Sequence, residues 1–222
     1  MNGVPPVEAF ASIIAELERR PLEQNNYRKR TGPGRSQAFG VVNRRCLPPD
    51  YSRNNWRRPY LYKLLLDYGQ KYVDISFNAI TVNQDYRAGK HYDRHNGGES
   101  YLVAFGSYTG GDLLIHEGDL SGNHNIWCKP IKADFSKILH SVDFFTGHRY
   151  SLVYYYFQSP RMPTLPKPSV RQEDGKWYFY RGEEKITKGL PHPLLDRERA
   201  EILATAKKKK LQAEAEYTVS FR

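Results

Sequence analysis

Residues 91–116 read HYDRHNGGESYLVAFGSYTGGDLLIH. His91, Asp93 and His95 fall together just before an apolar run and a double glycine. On an extended chain, residues i and i+2 project to one face, so an imidazole at 91 and a carboxylate at 93 can converge on one ion. Two readings are open from this stretch alone: a metal site at the mouth of a β-barrel, or a polar loop rich in histidine. YLVAFGSY (101–108) and DLLIH (112–116) read as strands, as do IWCKPI (126–131), SVDFF (141–145) and RYSLVYYYF (149–157), with GG, GN and TGH turns between them. Upstream, YVDISFNAITVN (72–83) alternates Val73, Ile75, Phe77 and Ala79 with Asp74, Ser76 and Asn78. Short strands at this spacing predict an antiparallel barrel or sandwich over 72–158.

The flanks differ. Val7, Phe10, Ile13, Ile14 and Leu17 stand at helical spacing between Pro6 and Pro21, which predicts a helix over 7–20. PYLYKLLLDYG (59–69) predicts a second helix stopped at Gly69, and the polar, basic stretch between the two reads as loop with little regular structure. After Ser159-Pro160 come a proline-rich connector (161–170), a small hairpin in GKWYFYRGEEKI (175–186) and a polar helix over 196–216 carrying Lys207–Lys210. Three segments result: 1–71, 72–158 and 159–222. Gly110-Gly111 is expected to be a turn of positive φ, and His116, His124 and Cys128 to be structural.

Hydrophobic residues at 39% and aromatics at 14% support a substantial core. Two cysteines, Cys46 and Cys128, and no CxxC pair exclude a disulfide framework, so a reducing, intracellular setting is expected. No signal-peptide pattern and no long apolar run are present, so no membrane span is expected. Of the net charge of +10, most sits between Arg19 and Arg58, where eleven Lys and Arg face only Glu23 and Asp50. Such a block suits a polyanion, since phosphate contacts release counterions; the alternative is a solubilising arm.

A third metal ligand should come from a later strand, and HSVDFFTGHRYSLVYYYF (140–157) supplies His140. Two His and one carboxylate leave three positions open on a metal, as in non-haem Fe(II) oxygenases; a zinc hydrolase could use the same ligands. Arg149 favours the former. By the period of two it shares a face with Ser151, Val153, Tyr155 and Phe157, and an inward arginine is costly unless it meets an anion. A guanidinium beside a hydroxyl suits the distal end of a dicarboxylate. The alternative is a core salt bridge, for example to Asp143.

NQDYRAGKHYDRHNGGES (83–100), YLVAFGSYTGGDL (101–113) and HSVDFFTGHRYSLVYY (140–155) together resemble the TET/JBP group of Fe(II)/2-oxoglutarate oxygenases, especially its algal, protist and viral branch. The resemblance covers about residues 72–158. It implies a double-stranded β-helix (jelly-roll) core, here in a mainly β chain with N-terminal helices and a mixed C-terminal extension. The activity implied is oxidation of the 5-methyl group of a pyrimidine in DNA, with Fe(II), 2-oxoglutarate and O2. Carried over by position, His91, Asp93 and His140 would hold iron, Arg149 and Ser151 the far carboxylate of 2-oxoglutarate, and Asn83 would also touch it. Asn96 matches a position set against a flipped base, and it is equally a turn residue in HNGG. Where cytosine-oxidising relatives typically carry a histidine, eight residues after the arginine, this chain has Phe157. Tyr155 and His95 complete the expected substrate pocket, with Phe157 and Asn96 expected on opposite sides of the iron. Weak discrimination between thymine and 5-methylcytosine follows. Double-stranded DNA is the expected partner, contacted by Arg28, Lys29 and Arg30, with the protein a monomer in the nucleus or wherever that DNA lies. A protein hydroxylase on the same fold, or a non-catalytic DNA-binding relative, are the rivals.

Overall fold

The computed structural model describes residues 4–24, 34–44 and 47–187. A short 3-10 turn (Val7–Phe10) leads into α1 (Ala11–Arg19). Among its described residues, the stretch expected to be loop instead holds β1 (Arg35–Arg44), β2 (Leu47–Tyr51) and α2 (Arg53–Arg57). β1 carries SQAFGVV, in which polar and apolar residues mix because both of its faces are covered, so the alternation signal is weak. Next come α3 (Pro59–Tyr72) and β3 (Ala79–Gln84). The strand expected from residue 72 thus begins at 79. Val73, Ile75 and Phe77 belong to the connection out of α3 and pack on the helix side of the core. Gly69 does not stop α3 but lies inside it, where a Cβ would stand 2.5 Å from Phe77 Cζ and 3.0 Å from Tyr154 Cε1. Close packing, not helix termination, explains this glycine.

β4 (Ser100–Gly110), β5 (Leu113–Ile115), β6 (Gly122–His124), β7 (Ile131–Ala133), β8 (His140–Val142) and β9 (Phe145–Tyr155) follow. The large sheet runs β2-β1-β3-β9-β4-β7 and the small one β6-β5-β8, every pairing antiparallel. Two expected turns are strand: Gly122-Asn123 lies in β6, and Thr146-Gly147-His148 pairs with Ser107–Thr109 inside the β4–β9 ladder. IWCKPI is mostly not strand, since Cys128 takes a φ of 52° and Pro130 offers no N–H.

Alternation partitions the large sheet. Tyr101, Val103 and Phe105 of β4 and Tyr150, Leu152 and Tyr154 of β9 face the helices, where they meet Phe10, Leu17, Leu61 and Leu65 in one buried cluster. Leu102, Ala104 and Val153 point the other way and meet Leu113 and Ile115 of the small sheet. Burying each such aliphatic or aromatic side chain contributes ~1.5–3 kcal/mol. The layers are therefore helices, large sheet and small sheet, a jelly-roll arrangement with a mainly β composition as expected. Beyond it, β10 (Pro168–Glu173), β11 (Lys176–Arg181) and β12 (Glu184–Ile186) form a three-stranded meander. The expected hairpin is its second half; the end of the proline-rich connector supplies β10. It docks on the helices and β2 through Phe179, whose ring centroid lies 5.5 Å from that of Tyr51 and 5.9 Å from that of Tyr62. The expected helix over 196–216 with Lys207–Lys210, residues Arg28, Lys29 and Arg30, and Cys46 lie outside the described residues. No helix among the described residues is long and apolar enough to cross a membrane.

Candidate metal centre and its cavity

Between the two sheets lies a cavity of about 600 Å³. The loop joining β3 to β4 lines it with His91, Asp93, His95 and Asn96.

The three expected metal ligands meet here. His91 is fixed by a reciprocal backbone bridge to His140, N–H to C=O at 3.0 and 3.1 Å, which ties the loop to β8. Asp93 N–H donates to Phe135 C=O at 2.9 Å. Asp93 Oδ1 then lies 3.5 Å from His91 Nε2, and Oδ2 lies 4.0 Å from His140 Nε2. Among the described residues these three form the one cluster of His, Cys, Asp or Glu donors close enough to share an ion. The outer nitrogens settle the tautomers. His91 Nδ1 is 2.7 Å from Gly89 C=O and His140 Nδ1 is 2.9 Å from Ile138 C=O. A carbonyl can only accept, so both Nδ1 atoms carry a proton, and Nε2 is the atom of each ring that can bind a metal. Burial pulls the His140 imidazole below its ordinary pKa, against the Ile138 carbonyl, which keeps it neutral at pH 7. Two imidazoles and one carboxylate fit a divalent first-row metal and leave room for further ligands.

Further along the same wall stands Arg149. It is 2% exposed, and its guanidinium lies over the rings of Tyr108 and Phe145, 5.4 and 5.7 Å from their centroids. Burial pulls its pKa down, against the nearby Tyr108 hydroxyl and Asp112 carboxylate. Its Nε is buried with no hydrogen-bond partner among the described residues, and no carboxylate of theirs forms an ion pair with it. Asp143, the alternative partner, instead accepts from Phe144 N–H at 2.8 Å. Gly111 makes space for the side chain: its φ is 73°, and a Cβ there would stand 3.0 Å from Arg149 Cδ and Nε. The positive φ expected at Gly110-Gly111 is observed, at 78° and 73°.

Asn83, on neighbouring β3, donates from Nδ2 to Ser151 Oγ at 3.0 Å, and its Oδ1 is buried without a partner among the described residues. Exchanging the two ends of the amide would let Ser151 donate to Oδ1 and would turn an N–H toward the cavity. An anion beside Arg149 favours that exchange.

All five residues expected on the inner face of β9 and its extension line the cavity: Arg149, Ser151, Val153, Tyr155 and Phe157. So do Asn83, Asn96 and His95. Asn96 and Phe157, however, are partners in a β-bridge and sit side by side, not across the metal from each other. The offset from His91 misled because residues 93–96 form a tight turn, Asn96 N–H to Asp93 C=O at 2.9 Å, that swings Asn96 back toward the end of β9. Phe157 is 3% exposed and packs in the helix-side core cluster, so most of its ring is already committed.

Sequence reasoning missed the wall supplied by β1. Ala38, Val42 and Asn43 all line the cavity. Val42 and Asn43 are consecutive, which the period of two forbids, and the β1–β2 register shifts between Val42 and Arg44. A bulge therefore turns Asn43 inward, and no sequence signal announces it. Several basic side chains of the 19–58 block are held in ion pairs within the chain. Arg19 and Arg58 pair with Glu16, Arg44 with Asp50, and Arg57 with Glu23 at 3.8 Å.

No family model and no curated protein matches the chain. Among solved structures it is similar to an oxidoreductase of the 2OG-Fe(II) oxygenase family from Burkholderia pseudomallei, at 17% identity over 71% of this chain and 85% of that one, with a TM-score of 0.50. NgTET1 in complex with 5mC DNA is similar at 13% identity over 70% of this chain and 69% of that one, with a TM-score of 0.47. A prolyl-4-hydroxylase from Pseudomonas putida is similar at 14% identity over 71% and 91%, with a TM-score of 0.45. The Burkholderia likeness bears on the fold, which agrees with the jelly-roll core described above.

Proposed function

We propose that this protein is an Fe(II)- and 2-oxoglutarate-dependent dioxygenase that oxidises the 5-methyl group of a pyrimidine in DNA. One observation carries the reading: a single cavity joins three metal donors to a buried guanidinium that lacks an anionic partner among the described residues. A mononuclear hydrolase has use for the first feature and none for the second.

When bound, iron with 2-oxoglutarate supplies the oxidising power: one atom of O2 goes to succinate, made with release of CO2, and the other to the methyl group. The chain's own residues do the rest. His91, Asp93 and His140 hold the metal through Nε2, a carboxylate oxygen and Nε2. Arg149 and Ser151 hold the far carboxylate of 2-oxoglutarate by charge-assisted hydrogen bonds, with Asn83 turning its amide to join them. Tyr108 and Phe145 shield that ion pair from water and so strengthen it. The remaining space, walled by Ala38, Val42, Asn43, Thr81 and Tyr155, receives the substrate. A base in duplex DNA reaches it only by leaving the stack. DNA as substrate is supported by the motif resemblance over 83–113 and 140–155 and by the basic excess of the chain.

Succinate release, measured with methylated duplex, unmethylated duplex or proline-containing peptide as the prime substrate, separates this reading from its rivals. Duplex DNA should stimulate release and peptide should not. Stimulation by peptide alone would make the protein a hydroxylase of proteins, and no release with any of them would remove the catalytic reading.

A further inference from the structure

We infer that Asn96 is a positioning residue for Asp93, holding the carboxylate in the orientation that metal binding needs; the inference rests on reading His91, Asp93 and His140 as a metal site. The two residues close a turn through the backbone, Asn96 N–H donating to Asp93 C=O at 2.9 Å. Their side chains repeat the link, with Asn96 Nδ2 3.4 Å from Asp93 Oδ2. That distance is long for a hydrogen bond, and a second contact holds the amide in place. The same Nδ2 donates to Ser100 Oγ at 2.9 Å, and Ser100 is fully buried at the start of β4. An ionised carboxylate only accepts, so the amide can face it by its N–H end alone.

The backbone of Asn96 is anchored in turn. It bridges to Phe157, whose N–H donates to Asn78 Oδ1 at 2.6 Å and whose C=O accepts from Asn78 Nδ2 at 3.2 Å. A continuous set of contacts thus runs from Asn78 and the residues that follow β9 to the Asp93 carboxylate.

Orientation matters because Asp93 turns one oxygen toward each histidine. Without Asn96 the carboxylate gains torsional freedom that metal binding must then remove. There is a consequence for the substrate. With its N–H end engaged, Asn96 offers the cavity Oδ1, an acceptor. The 4-amino group of cytosine and N3–H of thymine can both donate to it, so Asn96 does not tell the two bases apart.

The test is Co(II) binding by isothermal titration, without 2-oxoglutarate or DNA, for wild type, Asp93→Ala, Asn96→Ala and Ser100→Ala. Melting of each metal-free protein is measured alongside. Loss of an outer partner of a ligand costs about 10–100-fold in metal affinity, which is the loss expected for Asn96→Ala at unchanged metal-free melting; a change of less than about twofold overturns the inference. Should Asn96→Ala fail to fold, Ser100→Ala decides: weakened Co(II) binding supports the positioning role, and wild-type affinity overturns it. Equal Co(II) affinity in wild type and Asp93→Ala would mean that the metal-site reading itself is wrong, and the inference falls with it.

Discussion

A guanidinium buried between two aromatic rings, with its Nε unsatisfied among the described residues, costs free energy until an anion arrives. Arg149 is therefore a residue whose removal should cost the metal-free, ligand-free fold little. Arg149→Met keeps the volume and the ring contacts; its ligand-free melting temperature should equal or exceed that of wild type. The rise in melting temperature that 2-oxoglutarate gives wild type by binding the folded state should vanish in it. A 2-oxoglutarate-dependent shift that survives the change would show the carboxylate to be held elsewhere. Gly111→Ala probes the same place from behind. Its Cβ would press on Arg149 Cδ and Nε from a backbone of positive φ, so 2-oxoglutarate affinity should fall by about tenfold or more, ~1.4 kcal/mol, while Co(II) affinity is kept. Equal losses of both affinities would instead mean general unfolding of the site. That His91, Asp93 and His140 come together, and that Arg149 faces the same cavity, was legible in the sequence because the His-x-Asp spacing and strand alternation are local properties. The neighbour of Asn96 was not, because a four-residue turn redirects the chain in a way that counting positions cannot follow.

At the scale of elements, β9 and β4 announce themselves: long, aromatic and β-branched, with one face for the helices and one for the cavity. β1 does not. Its polar residues and its Gly40, at a φ of 75°, read as loop, yet it pairs with β3 over six residues and lines the cavity through Ala38, Val42 and Asn43. The tertiary pairing overrides its weak local propensity. Ala38→Leu would fill part of that space without touching the metal donors or Arg149. Binding of Co(II) and of 2-oxoglutarate should stay near wild type, while succinate release with the prime substrate falls about tenfold or more, ~1.4 kcal/mol in the transition-state barrier. Unchanged turnover would place the substrate against another wall. Gly69 makes the matching point for α3: a glycine near the end of an apolar run reads as a stop, and only the fold shows the Phe77 and Tyr154 rings pressed against it.

For the whole molecule, the net charge of +10 fits a polyanionic partner, but the internal ion pairs of Arg19, Arg44, Arg57 and Arg58 narrow the residues available to bind one. DNA affinity should fall with salt at a log-log slope of about −0.9 per phosphate neutralised. Reversing charge at Arg28, Lys29 and Arg30 should flatten that slope, whereas Arg57→Gln should leave it nearly unchanged. An identical slope in both variants would make the 19–58 block a solubilising arm. The mainly β class was legible from alternation and the jelly-roll core from the motif resemblance; the assembly of the N-terminal segment and the C-terminal meander around the helices was not, because it depends on contacts distant in sequence, such as Tyr51 and Tyr62 with Phe179. Methyl oxidation is the reaction proposed for this protein. It is tested most directly by incubating the protein with Fe(II), 2-oxoglutarate and duplex DNA carrying both thymine and 5-methylcytosine, then digesting the DNA and weighing its nucleosides by mass spectrometry, with His140→Ala as control. Wild type should yield 5-hydroxymethyl products from both bases, since neither Phe157 nor Asn96 separates them, and the control should yield none. DNA recovered with every methyl group intact, from a protein that binds metal and 2-oxoglutarate, would contradict the account.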